Sequence, residues 1–197
     1  MTGSHDTTAR IWEATTGRLV SKLTGHADAV LSGTYSPDGR SIVTASLDNT
    51  ARIWAAETGH LLFELKGHGA SVFSASYSPD GSQIVTVSKD NTARIWDAAT
   101  GHLISEFRGH GAGVLDAAYS PDGHRIVTAS ADKTARIWNS EKNRLLPELK
   151  GHTETVTSAT YAPDGRHIIT ASFDNTARVW DAETGQFLFE LKGHTSS

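Results

Sequence analysis

One short motif recurs along the chain at a fixed interval. A Thr-Ala-Arg segment followed by Ile or Val and then Trp occurs five times, and its tryptophans stand 42 residues apart. They are Trp12, Trp54, Trp96, Trp138 and Trp180. A repeat of this length is one supersecondary unit, which buries its apolar faces only by stacking on its neighbours. The period therefore predicts a stacked array with a continuous core rather than one or two independent globular domains.

Each repeat carries the pattern of four antiparallel strands. In the unit from 67 to 108, β-prone runs cover residues 72–77, 83–88, 92–97 and 103–107. The Pro79-Asp80-Gly81 segment is a turn, because proline presets φ and glycine accepts φ > 0. Runs of about 5–6 residues joined by short polar turns are typical of a β-meander. Ile95 and Trp96 are adjacent and point to opposite faces, which predicts neighbouring sheets on both sides.

The fourth run of each repeat is predicted to lie at a sheet edge. Pro147 cannot donate a hydrogen bond to a neighbouring strand, and glutamates next to this position protect an exposed edge. These are Glu64, Glu106, Glu148 and Glu190. A ring of arginines in the third runs is expected to pack on the sheet and pair with nearby carboxylates. They are Arg10, Arg52, Arg94, Arg136 and Arg178. A polyanion site is the weaker alternative, because the surplus charge is acidic.

The Gly-His opening, the Pro-Asp-Gly turn, the Ser-x-Asp segment and the terminal Ile-Trp-Asp resemble the WD-repeat β-propeller family. The Trp-Asp pair itself is kept only at Trp96-Asp97 and Trp180-Asp181. The resemblance implies an all-β fold, a β-propeller of four-stranded antiparallel blades around a channel. It implies four complete blades, at residues 25–66, 67–108, 109–150 and 151–192. Residues 1–24 would form a half-blade of outer strands only, and 193–197 would start a further repeat. Such a chain would be a segment of a larger ring, or a ring completed by an oligomer.

Each complete repeat also holds a histidine, a serine and an aspartate, which together could be taken for a hydrolase triad. A structural role is favoured, because a nucleophile needs one unique cleft with an oxyanion hole, not four equivalent copies. In the resembled family these residues and the tryptophan form a hydrogen-bonded tetrad, in which the hydroxyl meets the indole N–H. The implied tetrads are His26, Ser46, Asp48 and Trp54; His68, Ser88, Asp90 and Trp96; His110, Ser130, Asp132 and Trp138; and His152, Ser172, Asp174 and Trp180.

Composition narrows the ligands further. The net charge is −4, from 18 basic and 22 acidic residues without a basic patch, so nucleic acid and membrane surfaces are not expected partners. The chain has no cysteine and no apolar run long enough to span a bilayer, which favours a cytoplasmic location. The repeated histidines fall in different units, too far apart to share an ion, and no phosphate-binding glycine loop occurs. Neither a metal nor a cofactor is expected.

The positions that differ between repeats indicate a binding surface. The residue before each tetrad aspartate and the loop after each Gly-His vary, and in the resembled family both lie on one face of the ring. The candidate partner-binding residues are Asp28, Leu47, Lys89, Ala131, Glu154 and Phe173. Exposed Leu47 and Phe173 near Lys89 would make an apolar spot with a charged rim, suited to a protein or peptide. The alternative is that repeats simply drift at solvated positions.

The function predicted is a non-catalytic scaffold for protein–protein interaction. The alternatives are a sensor or targeting module of a larger multidomain signalling enzyme, and a self-assembling structural unit. An open arc of blades leaves two apolar faces in water, so the segment is also expected to self-associate, most simply as a two-fold homodimer. Two chains would supply eight complete blades, with the half-blades displaced to the rim or disordered.

Overall fold

The computed structural model describes residues 1–193, which form nineteen β-strands and no helix. Sheet 1 comprises β1 (Thr2–Gly3), β2 (Ala9–Trp12) and β3 (Leu19–Leu23). Sheet 2 comprises β4 (Val30–Tyr35), β5 (Ser41–Ser46), β6 (Ala51–Ala55) and β7 (Leu61–Leu65). Sheet 3 comprises β8 (Val72–Tyr77), β9 (Gln83–Ser88), β10 (Ala93–Asp97) and β11 (Leu103–Phe107). Sheet 4 comprises β12 (Val114–Tyr119), β13 (Arg125–Ser130), β14 (Ala135–Asn139) and β15 (Arg144–Leu149). Sheet 5 comprises β16 (Val156–Tyr161), β17 (His167–Ser172), β18 (Ala177–Asp181) and β19 (Phe187–Leu191).

Every sheet is an antiparallel meander in which sequence neighbours pair. The predicted all-β architecture of repeated four-stranded blades is therefore confirmed. Pro147 lies in β15, the outermost strand of sheet 4, as the sequence indicated. Within residues 1–193 there is also no helix that could cross a membrane.

The turns that join the strands follow the chemistry of their residues. Gly81 ends the Pro-Asp-Gly turn with φ of 76°, a left-handed conformation that glycine adopts without strain. Asn49, Asn91 and Asn175 adopt φ of 71°, 69° and 66° in the link between second and third strands. Asparagine tolerates this region better than most residues, because its short side chain can bond locally. In the corresponding link of sheet 4, Lys133 has this conformation, with φ of 71°.

The core lies between the sheets, which stack face to face. We call the side of a sheet that faces the next sheet in sequence its forward face, and the other side its rear face. The forward face of sheet 2 carries Val43, Ile53 and Leu65, and these pack on Ile84 and Trp96 of the rear face of sheet 3. Equivalent clusters join sheets 3 and 4 and sheets 4 and 5. The predicted coverage of both faces is thereby confirmed for the inner sheets 2, 3 and 4.

Sheet 1 is part of the same stack. Its Ala9, Ile11 and Leu23 pack on Ile42 and Trp54 of sheet 2. The half-blade is therefore not displaced to the rim, as the eight-blade dimer would require, because its forward face buries apolar side chains. The sheets formed by residues 1–193 make a partial ring that does not close. The rear face of sheet 1 and the forward face of sheet 5 are consequently left uncovered.

Candidate functional site

Each complete blade contains a carboxylate that collects hydrogen bonds at the end of its second strand. In sheet 2, Asp48 Oδ2 accepts from Nδ1–H of His26 at 2.8 Å and from the Ala27 amide at 2.9 Å. Its Oδ1 accepts from the hydroxyl of Thr50 at 2.7 Å and from the amide of that residue at 2.9 Å. The His–Asp distance is 2.8 Å in the other complete blades as well. The sequence predicted this pair correctly.

The hydroxyl that joins histidine to tryptophan is not the predicted serine. Nε2 of His26 and Nε1 of Trp54 both lie 2.8 Å from Oγ1 of Thr44. Trp54 is paired opposite Ile42, so Thr44 is its diagonal neighbour, within reach of the indole. Ser46 lies two residues further along β5, about 7 Å away, and is out of reach. The same correction replaces Ser88, Ser130 and Ser172 by Thr86, Thr128 and Thr170.

The serines have a different task. The hydroxyl of Ser46 donates to the backbone carbonyl of Asp28 at 3.0 Å and accepts from the Asp48 amide at 3.1 Å. The other three serines make the corresponding bonds to the carbonyls of Ala70, Ala112 and Glu154. Each serine thus ties the variable loop after Gly-His to the tetrad turn. Threonine and serine alternate on one face of the second strand, so spacing alone could not decide between them.

The protonation of the tetrad follows from burial. Burial lowers the pKa of His26 and His68 below the usual value, because the charged ring is disfavoured there. Partial burial alone would raise the pKa of Asp48, but bonds from Thr50, the Ala27 amide and His26 outweigh it and lower the pKa to about 2. A neutral ring then donates to the carboxylate and accepts from Thr44, whose oxygen accepts from the indole. Every polar atom in this chain of bonds has a partner.

The tetrad offers no group to a substrate. Thr44, Thr86, Thr128 and Thr170 are completely buried, and the four histidines are also buried. A hydroxyl held between an imidazole and an indole, without access from solvent, cannot attack an external carbonyl. The arrangement therefore serves to fix the blade and its loops.

Sheet 1 keeps only part of this arrangement. Nε1 of Trp12 donates to Thr2 Oγ1 at 3.0 Å, as in the complete blades. Asp6, which occupies the position of the tetrad aspartate, pairs with Arg10 at 2.6 Å. In the complete blades the corresponding arginine turns outward instead, to the glutamate of the fourth strand. These pairs are Arg52–Glu64 and Arg136–Glu148 at 2.9 Å, and Arg94–Glu106 and Arg178–Glu190 at 3.1 Å. The predicted pairing of the five repeated arginines with nearby carboxylates is thus confirmed.

The two sets of variable positions lie side by side in each blade. The amide of Leu47 donates to the Ala29 carbonyl at 3.0 Å, and that of Phe173 donates to the Thr155 carbonyl at 3.0 Å. Lys89 and Ala131 make the same bond, to the carbonyls of Ser71 and Gly113. The residue before the tetrad aspartate and the loop after Gly-His therefore form one surface, which we call the loop face.

The six candidate residues differ in exposure. Phe173 is 58% exposed, and Asp28, Lys89 and Glu154 are also exposed, whereas Ala131 is half-buried. Leu47 is half-buried rather than exposed as predicted, because the next blade lies over its turn: Ser71 Oγ is 3.4 Å from the Leu47 carbonyl. Leu47 and Phe173 also lie on sheets 2 and 5, with two sheets between them. The structure does not join them into one apolar spot.

Sequence reasoning missed a lysine on this surface. Nζ of Lys133 donates to the Thr153 carbonyl at 2.7 Å and lies 3.4 Å from Glu154 Oε1. It therefore connects the loop face of sheet 4 to that of sheet 5. One sequence signal could have identified it: Lys133 occupies the turn position that is asparagine in the other complete blades.

Clefts between blades lie on the face of the stack opposite the loop face. The cleft between sheets 3 and 4 has a volume of about 430 Å³ and is lined by Pro79, Asp80, Pro121, Asp122 and His124, among others. Similar clefts lie at the two neighbouring interfaces, where Pro-Asp-Gly turns also meet. Their repetition marks them as a by-product of stacked turns. Within residues 1–193 no group of three or more His, Asp or Glu side chains is placed to hold a metal ion.

Comparison with known proteins gives one finding about the family. The family model described as WD domain, G-beta repeat matches residues 17–55, 59–97, 101–139 and 143–181. Each matched range runs from the outer strand of one sheet to the third strand of the next. A comparison with curated proteins returned no match.

Proposed function

Because the chain belongs to the WD-repeat family, whose repeats generally mediate protein–protein interaction, we propose that it is a non-catalytic scaffold that binds a protein or peptide through its loop face. The contacts would come from Asp28, Leu47, Lys89, Ala131, Glu154 and Phe173. A cytoplasmic location is part of this proposal, supported by the cysteine-free composition.

The rigidity of the loop face supports the proposal. Three hydrogen bonds hold each variable loop. They are made to the loop by the serine hydroxyl, by the tetrad carboxylate and by the backbone amide of the residue before that carboxylate. In sheet 3 they reach Ala70, Gly69 and Ser71, all through backbone atoms. A surface that is ordered before binding loses little conformational entropy when a partner docks. Binding surfaces on loops positioned by a rigid scaffold are common for this reason.

The single observation that carries the proposal is the exposure of Phe173. A phenylalanine with 58% of its surface in water, on a backbone held by the Thr155 carbonyl, is a ready anchor for an apolar pocket or side chain. The neighbouring exposed carboxylate of Glu154 and ammonium of Lys133 supply polar groups around it. This pattern of apolar centre and charged rim fits a short peptide or a protein loop.

The test is selection of peptides from a random library on the immobilised 197-residue chain, followed by affinity measurement in solution. Phe173→Ala should weaken a selected peptide by about 1 kcal/mol or more, which is at least fivefold in Kd. Leu62→Ala is the matched control, because Leu62 is similarly exposed but lies on the outer strand β7. Equal affinities for all three proteins, or selection of no peptide, would contradict the proposal.

A further inference from the structure

The forward face of sheet 5 exposes side chains that are buried at every interface inside the stack. Ile169 is 38% exposed and Leu191 is 49% exposed. The residues at the same positions of sheets 2, 3 and 4 are no more than 2% exposed. These are Val43, Val85 and Val127 for Ile169, and Leu65, Phe107 and Leu149 for Leu191. Phe187 and Leu188 do not belong to this set, because most of their equivalents on the other outer strands are exposed as well; the exception is Leu146, which is half-buried.

The stack itself shows what covers such a face. At the internal interfaces the partner is the rear face of the following sheet, which brings a tryptophan against the valine, the isoleucine and the leucine or phenylalanine of the forward face. Trp54, Trp96, Trp138 and Trp180 are thereby almost completely buried. Trp12 is the remaining member of the series. It is 39% exposed, because it lies on the uncovered rear face of sheet 1.

A second contact repeats at the same interfaces. The turn before the outer strand carries a glycine in sheets 1, 2, 3 and 5, whereas sheet 4 has Asn143 there. In sheets 2, 3 and 5 this glycine packs on the outer strand of the preceding sheet. A Cβ added to Gly101 would lie 2.9 Å from Cβ of Phe63, and Gly185 meets Pro147 in the same way. Gly17, in the turn of sheet 1, has no described heavy atom within 4 Å of such a Cβ. Phe189 occupies on sheet 5 the position that Phe63 has on sheet 2, and it is 53% exposed.

We propose that the forward face of sheet 5 binds the rear face of sheet 1 of a second copy of this chain. In that contact Trp12 would cover Ile169 and Leu191, and Gly17 would pack on Phe189, as Trp96 and Gly101 do on sheet 2. The occupant is a second copy because both halves of a contact that the fold already makes are present, each uncovered, on the same chain. Exposed apolar patches of this kind mark association sites.

The proposed contact joins two different surfaces, so it is heterologous. Used twice, it closes two chains into a ring with two-fold symmetry; used repeatedly without closure, it gives a filament. This differs from a dimer in which two sheet 5 faces meet, because that arrangement leaves Trp12 in water. The inference concerns the ends of the stack and does not rest on the function proposed for the loop face.

The test uses two variants that each block one surface. Leu191→Lys places a charge on the forward face of sheet 5, and Trp12→Lys places one on the rear face of sheet 1. Ile104→Lys is the matched control, because Ile104 is equally exposed on the outer strand of sheet 3, away from both ends. All three changes are at exposed positions, and circular dichroism checks that the β structure is kept. Masses are measured by sedimentation velocity over micromolar concentrations.

The unaltered chain and Ile104→Lys should sediment as a multiple of the 21.1 kDa chain. Leu191→Lys and Trp12→Lys should each be monomeric alone, with self-association weakened at least tenfold. Their equimolar mixture should form a dimer of one chain of each kind, since each still has the surface that the other lacks. Three results would overturn the proposal. The unaltered chain could stay monomeric even at concentrations 100-fold above the micromolar range, Trp12→Lys could self-associate as strongly as the unaltered chain, or the mixture of the two variants could stay monomeric. Lys89→Ala, which changes only the loop face, should leave the mass unchanged, and this separates the two proposals.

Discussion

Replacement of Thr86 by valine tests the corrected tetrad. Valine has nearly the shape of threonine, so the main change is loss of the hydroxyl that lies 2.8 Å from both His68 Nε2 and Trp96 Nε1. Both nitrogens are then left without a partner inside the core. A buried polar group without a partner costs about 1–3 kcal/mol. With two such groups and some local relaxation, Thr86→Val should lower the free energy of unfolding by about 2–4 kcal/mol.

The loss can be read from thermal unfolding followed by tryptophan fluorescence and circular dichroism. For a chain of this size, 1 kcal/mol corresponds to about 2–4 °C in Tm, so the expected decrease is about 5–15 °C. Thr15→Val is the control, because Thr15 is exposed in the turn between β2 and β3, at a position that is exposed in sheets 2, 3 and 5 as well, and should change stability by less than about 0.5 kcal/mol.

A double-mutant cycle sharpens the test. Trp96→Phe removes the indole N–H that Thr86 satisfies, so the double variant Thr86→Val/Trp96→Phe should cost less than the sum of the two changes. A coupling of about 0.5–3 kcal/mol is expected for side chains that share a hydrogen bond. Strict additivity, or a Thr86→Val variant as stable as Thr15→Val, would refute the role assigned to this hydroxyl.

Two further predictions concern the same core. Trp96→Ala should destabilise the chain by about 3–5 kcal/mol through the cavity left between sheets 2 and 3, which urea unfolding would measure; a cost below 1 kcal/mol would contradict the packing described. The free energy of unfolding should also decrease in two stages as the pH is lowered. Because the folded pKa of His26 and His68 lies below the usual 6.5, the unfolded chain binds more protons, and stability is lost as pH falls from about 6.5 through the lowered folded values. Because Asp48 and Asp90 have folded pKa values of about 2 against 3.8, a second loss should follow as pH falls from about 4 toward 2. A Tm that increases as the pH is lowered from 7 to 5 would contradict the first stage.

The sequence was sufficient to predict the repeat, the strand order and most of the tetrad. Period, turn chemistry and alternation are local properties, and they are the same in every copy. What it could not predict depends on register across strands and on neighbouring sheets. Thr44 and Ser46 share one face of β5, and only the pairing of Ile42 with Trp54 shows which hydroxyl the indole reaches.

Exposure on the loop face shows the same dependence. The sequence places Leu47 and Phe173 at equivalent positions, yet their burial differs, because Ser71 of the following sheet reaches the Leu47 carbonyl. Phe173 has no described sheet after its own. The sequence also could not predict that residues 1–24 stack on sheet 2. Only the packing of Ile11 and Leu23 on Trp54 shows that they belong to the stack.

The way the variable loops are held has a consequence for protein engineering. In sheet 2 the loop is fixed through the amide of Ala27 and the carbonyls of Asp28 and Ala29, and none of these bonds uses a loop side chain. The side chain at 27 can therefore be exchanged without removing an anchor. Exchange at 28 removes only the local bond in which Asp28 Oδ1 accepts from the Ala29 amide at 2.7 Å, and the buried Ala29 needs a small residue. The same holds for the first two loop residues of each later blade. Randomising these positions together would create a combinatorial library on an unchanged frame, so that new specificities could be selected without redesigning the fold.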